Sequence, residues 1–341
     1  MAPFLSGGGY SSESWSYILA LDENMNKTKF KLSIKQHGDL ESLEFWEGLP
    51  QETKNLAVKL YQTECRVNET IVICHSEPGA WYPPLFQTMP CPPTDYENFN
   101  FVIGRTMFET DRVNAEHVKR CNRMDYVWVP TDFHVSAFVQ SGVDPSKVVK
   151  VVQAVDVDFF DPLKYEPLDL VSTGNLVSGV EKEGSGFEDR RNQLKGWAPI
   201  YVIDTHIAQV DLPRVFKAAH AFVLPSRGEG WGRPLVEAMS MSLPVIATNW
   251  SGPTEYLTEE NSYPLQVDRM SKVMEGPFEG HLWAEPSIDK LQLLMRHVIT
   301  NVAEANMRGR RAREDMIRRF SPHIVSGIVT DLIGNLLDRM I

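Results

Sequence analysis

Apolar and polar positions follow two rhythms along this chain. Short apolar runs, the length of buried strands, occur at Ile71–Cys74, "FVIG" from Phe101, "YVWV" from Tyr126, "VVKVV" from Val148, "IYVI" from Ile200, "FVL" from Phe222 and "PVIA" from Pro244. "FKLSIKQ", 30–36, alternates and predicts a further strand. Between these runs the apolar residues take helical spacing. "SSESWSYILALDE" predicts a helix with serine at its cap and Glu13 in its first turn. Residues 41–64 predict two helical pieces broken near Gly48 and Pro50. A helix is expected over 112–124 with Val118 and Cys121 on one face, and another from Thr131 to Gly142. "AQVDLPRVFKAAH" places Leu212, Val215, Phe216 and Ala219 toward a core, and the chain from Ser287 onward reads as helical throughout. Strands alternating with helices of this length imply an α/β fold with parallel sheets. Two stretches break the rhythm: 81–96 is rich in proline, and 162–199 is polar and glycine-rich with little periodicity.

At 341 residues the chain has room for two domains. A net charge of −11 argues against a nucleic-acid or anionic-membrane binder, whose affinity rests on basic surface. The arginines from Arg308 to Arg319 are interleaved with Glu314 and Asp315, as on a solvated helix. Cys65, Cys74, Cys91 and Cys121 have no zinc or C-x-x-C spacing and are expected to be buried thiols in a reducing compartment. Sequons at Asn26, Asn68 and Asn249 are expected to stay unmodified. No apolar run is long enough for a membrane span and no signal peptide is evident, so a cytoplasmic protein is expected. An anchor upstream would change that expectation to the Golgi or another membrane-associated site. "APFL" reads as the end of a strand that would begin before Met1.

The sharpest feature is "LPSRGEGWGRPLVEAM", Leu224–Met239, an apolar run entering a glycine-rich turn and then a helix. A helix N-terminus offers unpaired N–H groups and a partial positive charge. Gly228, Gly230 and Gly232 allow a sharp bend and close approach of a ligand. Pro234 suits a first helical turn. Glu229 and Glu237 add carboxylates that can accept paired hydroxyls of a sugar or ribose. Phosphate on the amides and hydroxyls on the carboxylates describe a sugar nucleotide; a capping turn with two solvated glutamates is the bland alternative.

"RGEGWGRPLVEAMSMSLPVIATNWSGPTEYL" resembles the signature of family-4 glycosyltransferases of the GT-B fold, enzymes of the glycosyl transferases group 1 type. "FLSGGGYSSESW", the segment from Arg105 to Val143 and "AVDVDFFDP" resemble other parts of that family. The resemblance implies two Rossmann-like domains facing a cleft. Residues 1–155 would be the acceptor side, 156–320 the nucleotide-sugar side, and 321–341 a helix that crosses back to the first domain. It implies sugar transfer from a nucleoside-diphosphate sugar to an unidentified acceptor, with retention of configuration and no obligatory metal or other cofactor. UDP-glucose is the donor expected from family frequency. By this likeness Glu229 holds the transferred sugar and Glu237 the ribose. The backbone of Gly230, Trp231, Gly232, Arg233, Pro234 and Leu235 faces the nucleotide, Gly7, Gly8 and Gly9 close on the diphosphate, and His75 lies near the sugar.

The chain also departs from the family. Its first strand is expected to be missing, and 172–199 stands where a β-α-β unit and a phosphate-neutralising cation belong. Arg190, Arg191 and Lys195 are the nearby basic residues. The alternative reading is therefore a weak or inactive nucleotide-sugar-binding remnant. The Asp-x-Asp at 156–158 lies in the expected interdomain crossing and is not read as a metal site. A nicotinamide enzyme is disfavoured because "GGGY" is not G-x-G-x-x-G.

Overall fold

A computed structural model describes residues 1–24, 30–176, 200–205 and 207–339. The first half opens with helix α1 (Gly9–Asn24), α2 (Leu43–Gly48) and α3 (Gln51–Gln62). Strand β1 (Ile71–His75) follows, then β2 (Phe101–Arg105), α4 (Ala115–Arg123), β3 (Tyr126–Val129), α5 (Asp132–Gln140) and β4 (Val148–Lys150). The four strands form one parallel sheet in the order β1-β2-β3-β4. Asn114 and Thr131 cap α4 and α5 by accepting from the N–H groups of His117 and His134. Trp81 is fully buried and fills the space that Gly104 leaves: a Cβ there would lie 2.3 Å from its ring.

Four expectations change in this half. Residues 30–36 are extended, but only Gln36 pairs, in an isolated parallel bridge with Ala2; the alternation found no neighbouring strand to dock on. Helix α1 starts at Gly9, so Glu13 is not a capping glutamate but a fully buried residue. Cys74 and Cys91 are joined in a disulfide, because the proline-rich loop folds back onto the end of β1. Only Cys121 is a buried thiol; Cys65 is exposed.

The second half begins with α6 (Leu170–Thr173), β5 (Asn175–Leu176) and β6 (Tyr201–Val202). β5 and β6 pair antiparallel, so among the described residues "IYVI" does not join a parallel sheet, and the start of the stretch expected to be irregular carries structure. The rest of that stretch, with Arg190, Arg191 and Lys195, and the sequon Asn26 lie outside the described residues. Then come α7 (Leu212–Ala218), β7 (Phe222–Leu224), α8 (Arg233–Ser240), β8 (Val245–Thr248) and β9 (Tyr263–Leu265). β7, β8 and β9 form a parallel sheet in that order. An antiparallel hairpin follows, β10 (Val267–Lys272) and β11 (Leu282–Pro286). The chain ends in α9 (Ile288–Thr300), α10 (Val302–Phe320) and α11 (Pro322–Leu337).

Each half has its own apolar core. Leu235, Met239, Val245, Ala247, Ala312, Met316 and Phe320 belong to the second-half cluster. Val325, Val329, Ile333 and Leu336 of α11 pack instead with Tyr17, Ile103, Trp128 and Val151 of the first half. The arginines of α10 are not all solvated: Arg313 donates to the carbonyls of Val157, Phe160 and Ser240, and Arg319 to that of Glu255. Among the described residues no helix is long and apolar enough to cross a membrane.

Candidate functional site

The glutamate turn lies at the carboxyl end of β7 and leads into α8, where ligands of open α/β sheets bind. Gly232 is the cap residue at φ +87°, a conformation open to glycine. The turn is held from behind: the Glu229 N–H donates to the Ser251 hydroxyl at 2.9 Å, and the Gly252 N–H donates to the Glu229 carbonyl at 3.0 Å. The Leu235 N–H returns to the Gly232 carbonyl. The N–H groups of Gly230, Trp231 and Gly232 make no hydrogen bond among the described residues. These are the turn's open donors.

Glu237 is 8% exposed and lies 3.6 Å from Arg233. Burial pushes its carboxyl up to about 7, and the arginine only partly offsets this. Glu229 is half-buried; burial and the neighbouring Glu109 carboxylate raise its pKa while Ser226 lowers it. Pro234 is exposed. Trp231 and Leu235 are core residues: Trp231 stacks on Tyr256 and Phe320, and Leu235 is fully buried. Their side chains support the turn from below.

The glycines are used differently from the sequence expectation. A Cβ on Gly228 would lie 2.0 Å from the Glu109 carbonyl oxygen, and one on Gly230 would lie 2.7 Å from the Met107 side chain. The close approach they permit is therefore made by a first-half loop, Met107–Glu109. The hairpin reinforces this contact. Asp111 accepts from the Leu282 N–H at 2.7 Å, Thr110 and the His281 Nδ1 lie 2.8 Å apart, and Phe108 packs edge-on against Phe278.

On the first-half side Gly7 has φ +76° and abuts the Phe45 ring, whereas a Cβ on Gly9 would meet open space. Gly8 lies between Ser6 and Asp39. Arg233 reaches Ser16 of α1 at 3.4 Å, which brings the glycine loop's helix to the glutamate turn. His75 is 5% exposed, and its Nε2 is 2.8 Å from the Glu13 carboxylate. The Arg105 Nε donates to the other Glu13 oxygen at 2.9 Å. Burial alone would raise the Glu13 carboxyl, but Arg105 and His75 bring it down to about 2. Burial lowers the His75 pKa against the pull of Glu13. The arrangement is a neutral imidazole donating through Nε2 to an ionised carboxylate, with Nδ1 left as an acceptor. Glu13 and Arg105 escaped sequence reasoning because they are 92 residues apart; an arginine ending a buried strand was the only available signal. Among the described residues no group of three or more His, Cys, Asp or Glu side chains gathers to hold a metal.

The comparisons bear on this same turn. Residues 175–315 match the family described as Glycosyl transferases group 1. The O-antigen chain mannosyltransferase B of Escherichia coli is 33% identical over 82 residues, 24% of this chain and 22% of that enzyme; the match thus spans under a quarter of the relative's length. Anabaena HepE, solved with UDP-glucose, aligns with 13% identity and a TM-score of 0.45 over 69% of this chain and 72% of that one. The sucrose-phosphate synthase of Thermosynechococcus elongatus aligns with 15% identity and a TM-score of 0.48 over 71% and 69%. The matched residues, 175–315, are the segment that carries the glutamate turn.

Proposed function

We propose that this protein is a glycosyltransferase that moves a hexosyl group from a nucleoside-diphosphate sugar, UDP-glucose in the first instance, to an acceptor with retention of configuration. The observation that carries the reading is the turn itself. Three consecutive N–H groups without partners, Gly230 to Gly232, open at the start of α8 beside two carboxylates, in the segment matched to group 1 transferases. Amides of this kind bind phosphate oxygens, and carboxylates accept hydroxyls. Glu237 takes the ribose and Glu229 the transferred sugar. The diphosphate leaves against backbone dipoles and Arg233, with no metal required by this arrangement. Gly8 and Gly9 offer the facing wall, and His75, held by Glu13, lies behind it.

A second reading is favoured by one observation. Near the turn the described carboxylates, Glu109, Glu229 and Glu237, outnumber Arg233 and Arg227, the latter already paired with Glu285, and a leaving diphosphate needs positive charge. A nucleotide-sugar-binding protein of little catalytic power would share the turn. Titration with UDP and UDP-glucose, followed by product analysis, tests both. Glu237→Ala is expected to lower UDP affinity by about tenfold to a hundredfold, the loss of a charged hydrogen bond to ribose. Glu229→Ala is expected to spare UDP and weaken UDP-glucose. Wild-type affinity for both ligands in both variants removes the turn from the site. Binding without turnover, unaltered by charge removal at Arg190, Arg191 and Lys195, selects the second reading.

A further inference from the structure

Beyond the donor turn, one cluster on the first-half wall is built and unspent. Glu77 lies two residues beyond the end of β1, close to the carboxyl edge where His75 ends the strand. Its Oε1 and the Nε2 of His117 converge on buried Gly79. They would lie 3.0 and 3.2 Å from a Cβ there, and the Phe86 ring edge would be equally close at 3.2 Å. The two polar groups form no ion pair with each other and no side-chain hydrogen bond among the described residues. His117 is only 5% exposed, and its Nδ1 is buried without a partner. The buried Nδ1 carries a desolvation cost that a hydrogen bond would relieve, and the Nε2, with no hydrogen bond among the described residues, is left to meet a ligand hydroxyl. Phe86 is 47% exposed, leaving an apolar surface at the rim.

The cluster is joined to the donor turn by direct packing. The ring of His117 is 5.4 Å from that of Phe108, whose neighbours Met107 and Glu109 touch Gly230 and Gly228. The charge around it is acidic on balance: Asp39 acts on Glu77 and Glu109 on Glu229, while Arg120, the cation that acts on His117, is paired with Glu116. Carboxylates on both walls repel an anionic group and accept hydroxyl protons.

We infer that Glu77, His117 and Phe86 form an acceptor subsite for a neutral, polyhydroxylated ring such as a pyranose. Glu77 accepts one hydroxyl, His117 exchanges a hydrogen bond with the same or the next one, and the Phe86 ring covers the apolar face of the sugar. The surrounding acidic groups select against phosphorylated or otherwise anionic acceptors. This inference rests on the glycosyl-transfer reading, and its test is separable from it.

The test is a titration of the protein with methyl α-glucopyranoside, methyl α-mannopyranoside and methyl α-galactopyranoside, and with their 6-phosphates, in the presence and absence of UDP. At least one neutral glycoside is expected to bind, more tightly than its 6-phosphate. Glu77→Gln, which keeps the side-chain shape, is expected to weaken that glycoside about tenfold while UDP affinity stays at the wild-type value. His117→Gln is expected to do the same; because His117 is buried, its melting temperature is measured alongside, and Glu77→Gln decides the matter if it does not fold. Unaltered glycoside affinity in Glu77→Gln, a preference for the phosphorylated ligands, or failure of all three glycosides to bind while UDP binds overturns the subsite. Failure of UDP to bind overturns the donor reading instead, and the glycoside titration still decides the subsite.

Discussion

Glu237 and Glu13 are both buried carboxylates, and they act on stability in opposite directions. Burial moves Glu237 from the ordinary 4.5 to about 7, so the folded state holds its proton more tightly than the unfolded chain does. Its favourable contribution is complete below about pH 4.5 and is lost as pH rises to about 7, on the order of 3 kcal/mol in all. Glu13 goes the other way. Arg105 and His75 hold it at about 2, so its contribution is present above about 4.5 and lost as pH falls toward 2. His37, His117 and His134, each brought down to about 4 chiefly by burial, add stability over the same range in both proteins. The expected signature is therefore a difference: the urea midpoint of Glu237→Gln rises relative to that of the wild type between pH 4.5 and 7. A wild-type slope preserved in Glu237→Gln would assign the proton uptake to another group. The residue types of the donor turn were legible in the sequence because they lie within 16 consecutive positions, Leu224–Met239. The Glu13–His75–Arg105 group was not, since its members meet only after the sheet has formed.

At the scale of elements, the turn is a joint as well as a candidate ligand site. The backbone carbonyl of Glu109 occupies the place of a Gly228 side chain, and backbone yields less readily than a flexible side chain. Gly228→Ala is expected to force the Met107–Asp111 segment away and to cost about 1–3 kcal/mol, read as a melting temperature several degrees lower. Gly9→Ala makes the opposite prediction for the fold, because nothing stands within 4 Å of the added atom and the position begins a helix. Its melting temperature is expected to hold or rise, while UDP-glucose affinity falls if the glycine loop closes on the diphosphate. Unchanged donor affinity in Gly9→Ala takes that loop out of the site. Apolar runs revealed β1, β2, β3, β7 and β8 because these strands lie in parallel sheets, where most positions are apolar up to the carboxyl ends. The β10–β11 hairpin was invisible for the opposite reason: Asp268, Arg269, Ser271 and Lys272 give it no apolar run, and its fit comes from contacts with Thr110 and Asp111.

At the scale of the whole molecule, the two halves are fastened at more than one place. On one side, the hairpin meets the Phe108–Asp111 loop. On another, Lys150 pairs with Glu255 at 3.0 Å, while Glu255 also accepts from the Asp132 N–H at 3.3 Å. The strongest fastening is the chain itself. Helix α10 ends with Phe320 in the second-half core, its carbonyl accepting from the Val155 N–H at 2.9 Å, and α11 begins two residues later in the first-half core. The amphipathic spacing after Ser287 made these helices legible, but periodicity carries no information about which of two cores a helix joins. A shared helix pair of this kind couples unfolding of the halves. Val329 is 2% exposed beside Tyr17 and Trp128. Val329→Ala removes two buried methyl groups and is expected to destabilise by about 2 kcal/mol. If the halves unfold as one unit, amide exchange in β3 and in β8 accelerates by the same factor, roughly thirtyfold, although β8 lies in the other sheet. Hydrogen exchange read by mass spectrometry distinguishes the cases. Acceleration confined to β3 would show that α11 stabilises the first half alone, and that the halves move apart without unfolding each other.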